Sequence, residues 1–291
     1  MSYKRVLFII FITGIGAAGL VYFLIQLEES ATQETAESRP VALPYSWVGN
    51  ITKSQIAEPS GITYHAARRS LFIADDSGSI HEVRLDGTLV QSKGLSERDI
   101  EGITVNPDTG MLYAAVEGDE SILELDAETL TIQREFRIGR NFEGEQLLKK
   151  GGMGIEAIAF VPDALHPEGG TFWVGNQSFS LKPNDEPSVI CEVIVPLRSG
   201  TARTADGTII NAYRMNFIDI SGLAYDSQGD HLVLVSDTSN LLVELKKEGT
   251  ILGQYLLPGD EQEGVVLDGL GYMYIAQENG EIIKLADRRL R

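Results

Sequence analysis

Cysteine is all but absent from this 291-residue chain: Cys191 stands alone, so no internal disulfide can staple the fold. It lies in the apolar run Val189–Val195 and reads as a small core residue without a redox role. Basic residues are scarce too. Twenty-four Lys and Arg face 42 Asp and Glu, and a net charge of −18 repels a phosphate backbone, which excludes nucleic acid as a partner. The patterns G-x-S-x-G and H-E-x-x-H and the calcium loop of EF-hands are missing. His65, His81, His166 and His231, the four histidines, sit in or beside turns, where surface placement is expected.

Long apolar runs are confined to the amino end. Residues 6–27, interrupted only by Thr13 and Gln26, reach across a hydrocarbon core of about 30 Å as a helix at about 1.5 Å per residue. Lys4 and Arg5 before this run and Glu28 and Glu29 after it predict a cytoplasmic stub over 1–5 and an exported remainder. A cleaved secretory signal is the alternative, but the run exceeds the usual h-region and no A-x-A site follows. The expectation is an uncleaved single-pass anchor in a bacterial inner membrane, making that membrane a partner through 6–27, with the carboxyl-terminal part in the periplasm. Residues 28–44, rich in Glu, Thr, Ser, Ala and Pro, read as a flexible linker, leaving 45–291 as the folded domain.

That domain repeats itself. Glu101-Gly102-Ile103-Thr104-Val105 recurs in variant form from Ser60, Glu156, Ser221 and Glu263, at intervals of 41, 55, 65 and 42 residues. Each copy is followed by a turn and a second apolar run that ends on polar residues: Asp75-Asp76, Glu117, Asn176-Gln177, Ser236-Asp237 and Gln277-Glu278. Periods of about 40 to 50 residues built of short β-type runs predict an all-β fold, a β-propeller of four-stranded blades. Five blades are counted, with six as the alternative. The last copy has three runs, so Tyr45–Val48 is predicted to supply the fourth strand of that blade and close the ring. Asp86-Gly87, Asp206-Gly207, Asp268-Gly269 and Asn279-Gly280 are predicted hairpin turns. Insertions over about 141–153 and 178–188 are candidate lids or docking loops.

In a propeller, the start of each first strand and the end of each second strand lie on one face. This gathers Glu101, Glu156 and Glu263 around the axis, with Asp75 (or its neighbour Asp76), Glu117, Asp237 and Glu278 behind them. Oxygen donors without His or Cys suit a hard cation, Ca²⁺ before Mg²⁺, and these seven residues are the predicted metal ligands. Two carboxylates about 6 Å apart at an effective dielectric of about 20 repel by roughly 3 kcal/mol. A cation, a proton or a water-filled acidic pore must relieve that repulsion. Gly61, Gly102, Gly222 and Gly264, which recur in second place of four of the five copies, are explained by a throat too narrow for a side chain.

The phrases Pro59–Tyr64, Ile220–Asp226 with Leu234–Asp237, and Gln262–Gly264 with Tyr274–Glu278 resemble the SdiA-regulated (YjiK/CarP-like) family over roughly Trp47–Leu285. The resemblance implies a Ca²⁺-associated bacterial propeller outside the cytoplasmic membrane, with no reaction attached. Gly154–Phe160 is more distantly similar to phytase-like esterase propellers, without their clustered Lys and Arg. Two functions are therefore expected. The first is a membrane-tethered, Ca²⁺-binding interaction or sensing module with a protein or small-molecule partner on its acidic channel face. The second is a Ca²⁺-dependent phosphoesterase or lactonase with Glu156 or Asp237 as general base.

Overall fold

The computed structural model describes residues 39–51, 56–95, 98–149, 154–181 and 187–289. The predicted stub and anchor and all but the end of the predicted linker lie outside them. Among the described residues, no helix is long and apolar enough to cross a membrane.

All regular structure among the described residues is strand. Four strands follow one another in the first blade: Pro59–His65, Ser70–Asp75, Ser79–Arg84 and Leu89–Gly94. The second runs Ile100–Val105, Leu112–Val116, Ser121–Leu125 and Ile132–Ile138. The third runs Ile155–Pro162, Gly170–Asn176, Val189–Ile194 and Thr204–Arg214. The fourth runs Ile220–Asp226, His231–Ser236, Leu241–Leu245 and Ile251–Leu256. The fifth has Gln262–Leu267, Tyr272–Gln277 and Ile282–Asp287, and its outermost strand is Tyr45–Asn50, paired antiparallel from Tyr45 opposite Asp287. The predicted closure is present, and the described residues form five blades rather than six. First strands touch first strands all the way round, the fifth blade's against the first's, so the ring is complete.

Burial follows position in the blade. Pro59–His65 and Ser70–Asp75 are buried throughout because neighbouring blades cover both faces, whereas the outer strand Leu89–Gly94 is largely exposed. The core is five clusters, one at each junction of consecutive blades. Tyr113, Phe160 and Phe172 pack between the second and third, Trp173, Leu223 and Leu234 between the third and fourth, and Ile62, Ile73 and Tyr274 between the fifth and first. Each such side chain contributes about 1.5–3 kcal/mol on burial. Cys191 is among them, fully buried.

Several local expectations are corrected. Asp206-Gly207 lies inside the strand Thr204–Arg214, because Ile132–Ile138 pairs with it in parallel and joins the second and third blades into one eight-stranded sheet. Gly207 permits this contact, since a Cβ there would stand 2.6 Å from Ile138 Cδ1. Arg134 ties the junction by reaching Glu124 and the carbonyl oxygens of Pro196 (3.1 Å) and Gly200 (3.0 Å). The insertion from 141 begins as a small hairpin, Asn141–Phe142 with Glu145–Gln146, and buries Leu147 and Leu148 in the core; residues 150–153 lie outside the described residues. His65 and His231 are buried rather than at the surface, and His65 Nε2 lies 3.1 Å from the Gly110 carbonyl oxygen of the next blade. The compact unit starts at Pro40, because Val41–Ala42 pairs in parallel with Tyr255–Leu256 and so draws the end of the predicted linker into the fold.

The glycine that follows four of the five ring residues meets the next blade; Glu156 is followed by Ala157 instead. A Cβ on Gly61 would lie 2.8 Å from Gly102 Cα and 2.9 Å from Ile103 N, and one on Gly264 would lie 2.9 Å from Ile62 N. No flexible side chain can move aside there. Gly61→Ala is therefore expected to cost about 2–3 kcal/mol and to lower the melting temperature by roughly 5–10 °C. Gly49→Ala, with nothing within 4 Å of its Cβ, leaves it unchanged in the same thermal melt.

Candidate metal centre

Five β-bulges build the site. The register between first and second strands slips between Pro59 and Gly61, Ile100 and Gly102, Ile155 and Ala157, Ile220 and Gly222, and Gln262 and Gly264. The skipped residues are the ring residues Ser60, Glu101, Glu156, Ser221 and Glu263. A bulge leaves one residue outside the ladder and re-aims its side chain. A repeated hydrogen bond frames each bulge. The residue after the second strand donates its N–H to the carbonyl two positions before the ring residue: Asp76 to Glu58 (3.0 Å), Glu117 to Asp99 (2.9 Å), Gln177 to Gly154 (3.3 Å), Asp237 to Asp219 (3.1 Å) and Glu278 to Glu261 (2.9 Å).

This frame sorts the predicted ligands. Glu101, Glu156 and Glu263 line one cavity of about 370 Å³, together with Glu117 and Glu278. Asp75 does not. It is buried, and its carboxylate accepts the N–H groups of Ala57 (3.2 Å), Glu58 (3.3 Å) and Ser77 (3.0 Å), so it caps a turn. Its neighbour Asp76 occupies the ring-facing position, one residue past the strand end. Asp237 stands beside Glu263 and outside the cavity lining, with its Oδ1 accepting the Gln262 N–H at 2.8 Å. Asn176 is likewise structural, bonded to Val189 N (2.8 Å) and Pro187 O (2.9 Å). Ser60 and Ser221 latch blade to blade, donating to the carbonyl oxygens of Ile100 (2.5 Å) and Gln262 (2.7 Å).

Sequence reasoning missed Glu58, Gln177 and Asp99, which line the cavity beside Asp76, its alternative to Asp75. A signal for the first and third was present: an acid stands two places before the ring residue in four of five copies, as Glu58, Asp99, Asp219 and Glu261. Asp76, Asp99 and Glu101 form the tightest group, with one carboxylate oxygen from each lying within 4.8 Å of the others. No Lys, Arg or His is among the described residues that line this cavity.

The electrostatics follow. Burial, then a hydrogen bond that protonated Glu101 donates to Asp99 and the charges of Asp76, Asp99 and Glu117, push Glu101 up to about 9. Partial burial and Asp99 push Asp76 up to about 6. Glu263 rises to about 8, first by burial and then beside Asp237, Asp219 and Glu278. Glu156 is held well above the usual carboxylate range, by burial and then by Glu101 and Glu117. Glu117 anchors the third blade's bulge, its Oε1 accepting the Gly154 N–H at 2.7 Å. Behind it, fully buried Glu120 accepts the Ile155 N–H (3.0 Å) and pairs with Arg140 at 3.0 Å. Burial still lifts Glu120 to about 7 against the pull of Arg140.

Carboxyls with raised values keep their protons in the folded state while the unfolded chain has already released them, so stability falls as pH rises. The window runs from about 4.5, the ordinary value, through about 6, 8 and 9 as Asp76, Glu263 and Glu101 ionise in turn. In chelator, the melting temperature is expected to drop across this range. Glu101→Gln should melt above the parent at pH 9 and level with it at pH 4, measured by circular dichroism.

Among solved structures, the chain is similar to Myxococcus xanthus glutaminyl cyclase at 13% identity and a TM-score of 0.58, over 84% of this chain and 97% of that one. It also aligns with the β-propeller domain of Myceliophteria thermophila Cps50 (Swd1), at 11% identity and a TM-score of 0.48, over 84% and 99%. At such identity the first likeness speaks for the propeller fold alone. The model of the SdiA-regulated family matches residues 48–282, spanning all five blades and their bulged acidic ring: the chain belongs to the SdiA-regulated family.

Proposed function

We propose that the acidic end of the axis is a Ca²⁺ site and that the protein is a cation-dependent binding module, held at the bacterial inner membrane by residues 6–27 with its propeller in the periplasm. One observation carries the metal reading: oxygens of Asp76, Asp99 and Glu101 gather within 4.8 Å. A Ca²⁺ ion with Ca–O distances of about 2.4 Å spans opposite ligands about 5 Å apart, so all three fit one coordination sphere. Glu58, Glu117, Glu156, Glu263 and Glu278 line the same cavity and supply further oxygens toward the six to eight that Ca²⁺ takes. The donor set is oxygen alone, which suits a hard cation over zinc or copper. Bound Ca²⁺ supplies the positive charge that these carboxyls otherwise draw from protons.

A loaded site of this kind presents a cation with open positions to an anionic or carbonyl-bearing partner on the channel face. Hydrolysis of phosphoesters or lactones is the weaker reading, because no cationic side chain among the described lining residues stands by to hold a phosphate. Glu156, inside the cavity, is the candidate base for such a step, and Asp237, tied to Gln262 N–H outside it, is the poorer one.

At 100 times its dissociation constant, Ca²⁺ stabilises the folded state by about 2.7 kcal/mol, a rise of roughly 5–10 °C in melting temperature. Calorimetry on the full chain is expected to show saturable Ca²⁺ binding, weaker Mg²⁺ binding, and loss of both the heat and the thermal shift in Asp99→Asn/Glu101→Gln. A double variant that binds Ca²⁺ as the parent does would overturn the reading. A phosphoester and lactone panel run with Ca²⁺ is expected to show no turnover.

A further inference from the structure

The strand Ile155–Pro162 carries Glu156 near its acidic end and Pro162 at the other, and a second cavity opens at that far end. It lies between the third and fourth blades and measures about 570 Å³, within the range of about 300–1,000 Å³ typical of small-ligand sites. Its chemistry differs from the axial cavity. Trp173 and Tyr213 line it as a stacked pair, ring centroids 5.7 Å apart and planes 14° from parallel, and Tyr225 adds a third aromatic ring. Asp163, Glu192, Asp230 and Glu248 stand around these rings, with Lys247 the one Lys or Arg among the described lining residues.

The carboxylates are held in place. Thr171 Oγ1 and Asn211 Nδ2 donate to Glu192 at 2.9 and 2.6 Å, and the Leu165 N–H donates to Asp163 Oδ1 at 2.8 Å. Lys247 already shows what the cavity accepts. Its ammonium sits 2.6 Å from Asp230 Oδ1 and 5.9 Å from the centre of the Tyr225 ring, a cation between a carboxylate and an aromatic face. Glu248 has Lys246 at 3.6 Å. Among the described residues no Lys or Arg pairs with Asp163 or Glu192. Two fixed anions beside an aromatic and aliphatic floor that includes Val161 and Pro162 call for more than one positive charge joined by apolar chain. An inorganic ion gains nothing from such a floor, since rings and methyl groups offer no oxygen.

The geometry points to a binding site for a linear aliphatic polyamine, with methylene segments over Tyr213, which is stacked on buried Trp173, and over Tyr225, and ammonium ends on Asp163 and Glu192. This site is separate from the acidic ring and does not rest on the Ca²⁺ reading.

Trp47 and Trp173 are the chain's two tryptophans, and Trp47 is 56% exposed, so Trp47→Phe leaves Trp173 as a local reporter. Spermidine titrated into the full-length Trp47→Phe chain is expected to change Trp173 fluorescence saturably. Adding Asp163→Asn and Glu192→Gln should weaken that binding about tenfold or more, while Asp99→Asn/Glu101→Gln at the other end leaves it unchanged. Exposed Asp163 can be changed alone if Glu192→Gln lowers the melting temperature. No saturable change at millimolar spermidine, or equal affinity in the Asp163 and Glu192 variants, would overturn the proposal.

Discussion

The structure depends on how closely five strands can stand around one axis. At the acidic end the first strands approach until the backbone of one blade meets the backbone of the next, with Gly61 against Gly102 and Gly264 against Gly61. Four blades place a glycine at that contact and the third places Ala157, and in each the preceding residue leaves the ladder. It does so as a bulge in all five blades. Crowding of the backbone thus delivers one side chain per blade to the axial mouth. Where that side chain is serine, it hydrogen-bonds across to the next blade and reinforces the ring; where it is glutamate, it meets other carboxyls.

The same geometry makes the acidic face costly to the bare protein. Asp76, Glu101, Glu156 and Glu263 all retain protons more strongly than an ordinary carboxyl, because burial and neighbouring anions disfavour the charge. The five apolar junctions between blades offset this cost. A scaffold of that kind can hold strained electrostatics at one point without loosening elsewhere, and such points are where ligand chemistry is found.

Closure works on the same principle of shared edges. Tyr45–Asn50 completes the fifth blade, while Val41–Ala42 pairs with the outer strand of the fourth. The second and third blades are joined directly by the parallel pairing of Ile132–Ile138 with Thr204–Arg214. The two ends of the third blade's first strand then present different chemistry: carboxyl side chains at the axis at one end, and aromatic rings edged by carboxylates, between the third and fourth blades, at the other.

Much of the fold could be read from periodicity alone. The recurring phrase marked five blades, the three-run last copy required Tyr45–Val48 to close it, and the glycine after four of the five ring residues marked a tight approach. These features are local or repeat at fixed spacing, so a single strand of text carries them. The acidic ring was legible as Glu101, Glu156 and Glu263 with Glu117 and Glu278 behind them, but Asp75 and Asp76 both stayed open where only Asp76 faces the cavity. A bulge moves the register by one residue, and only the partner strand reveals it. Asp206-Gly207 looked like a turn and is strand because a distant blade pairs with it. The cavity holding Trp173, Tyr213 and Tyr225 joins residues up to some fifty positions apart, with no motif between them. Contacts of that reach exist only once blades are packed side by side, and tertiary structure alone decided them.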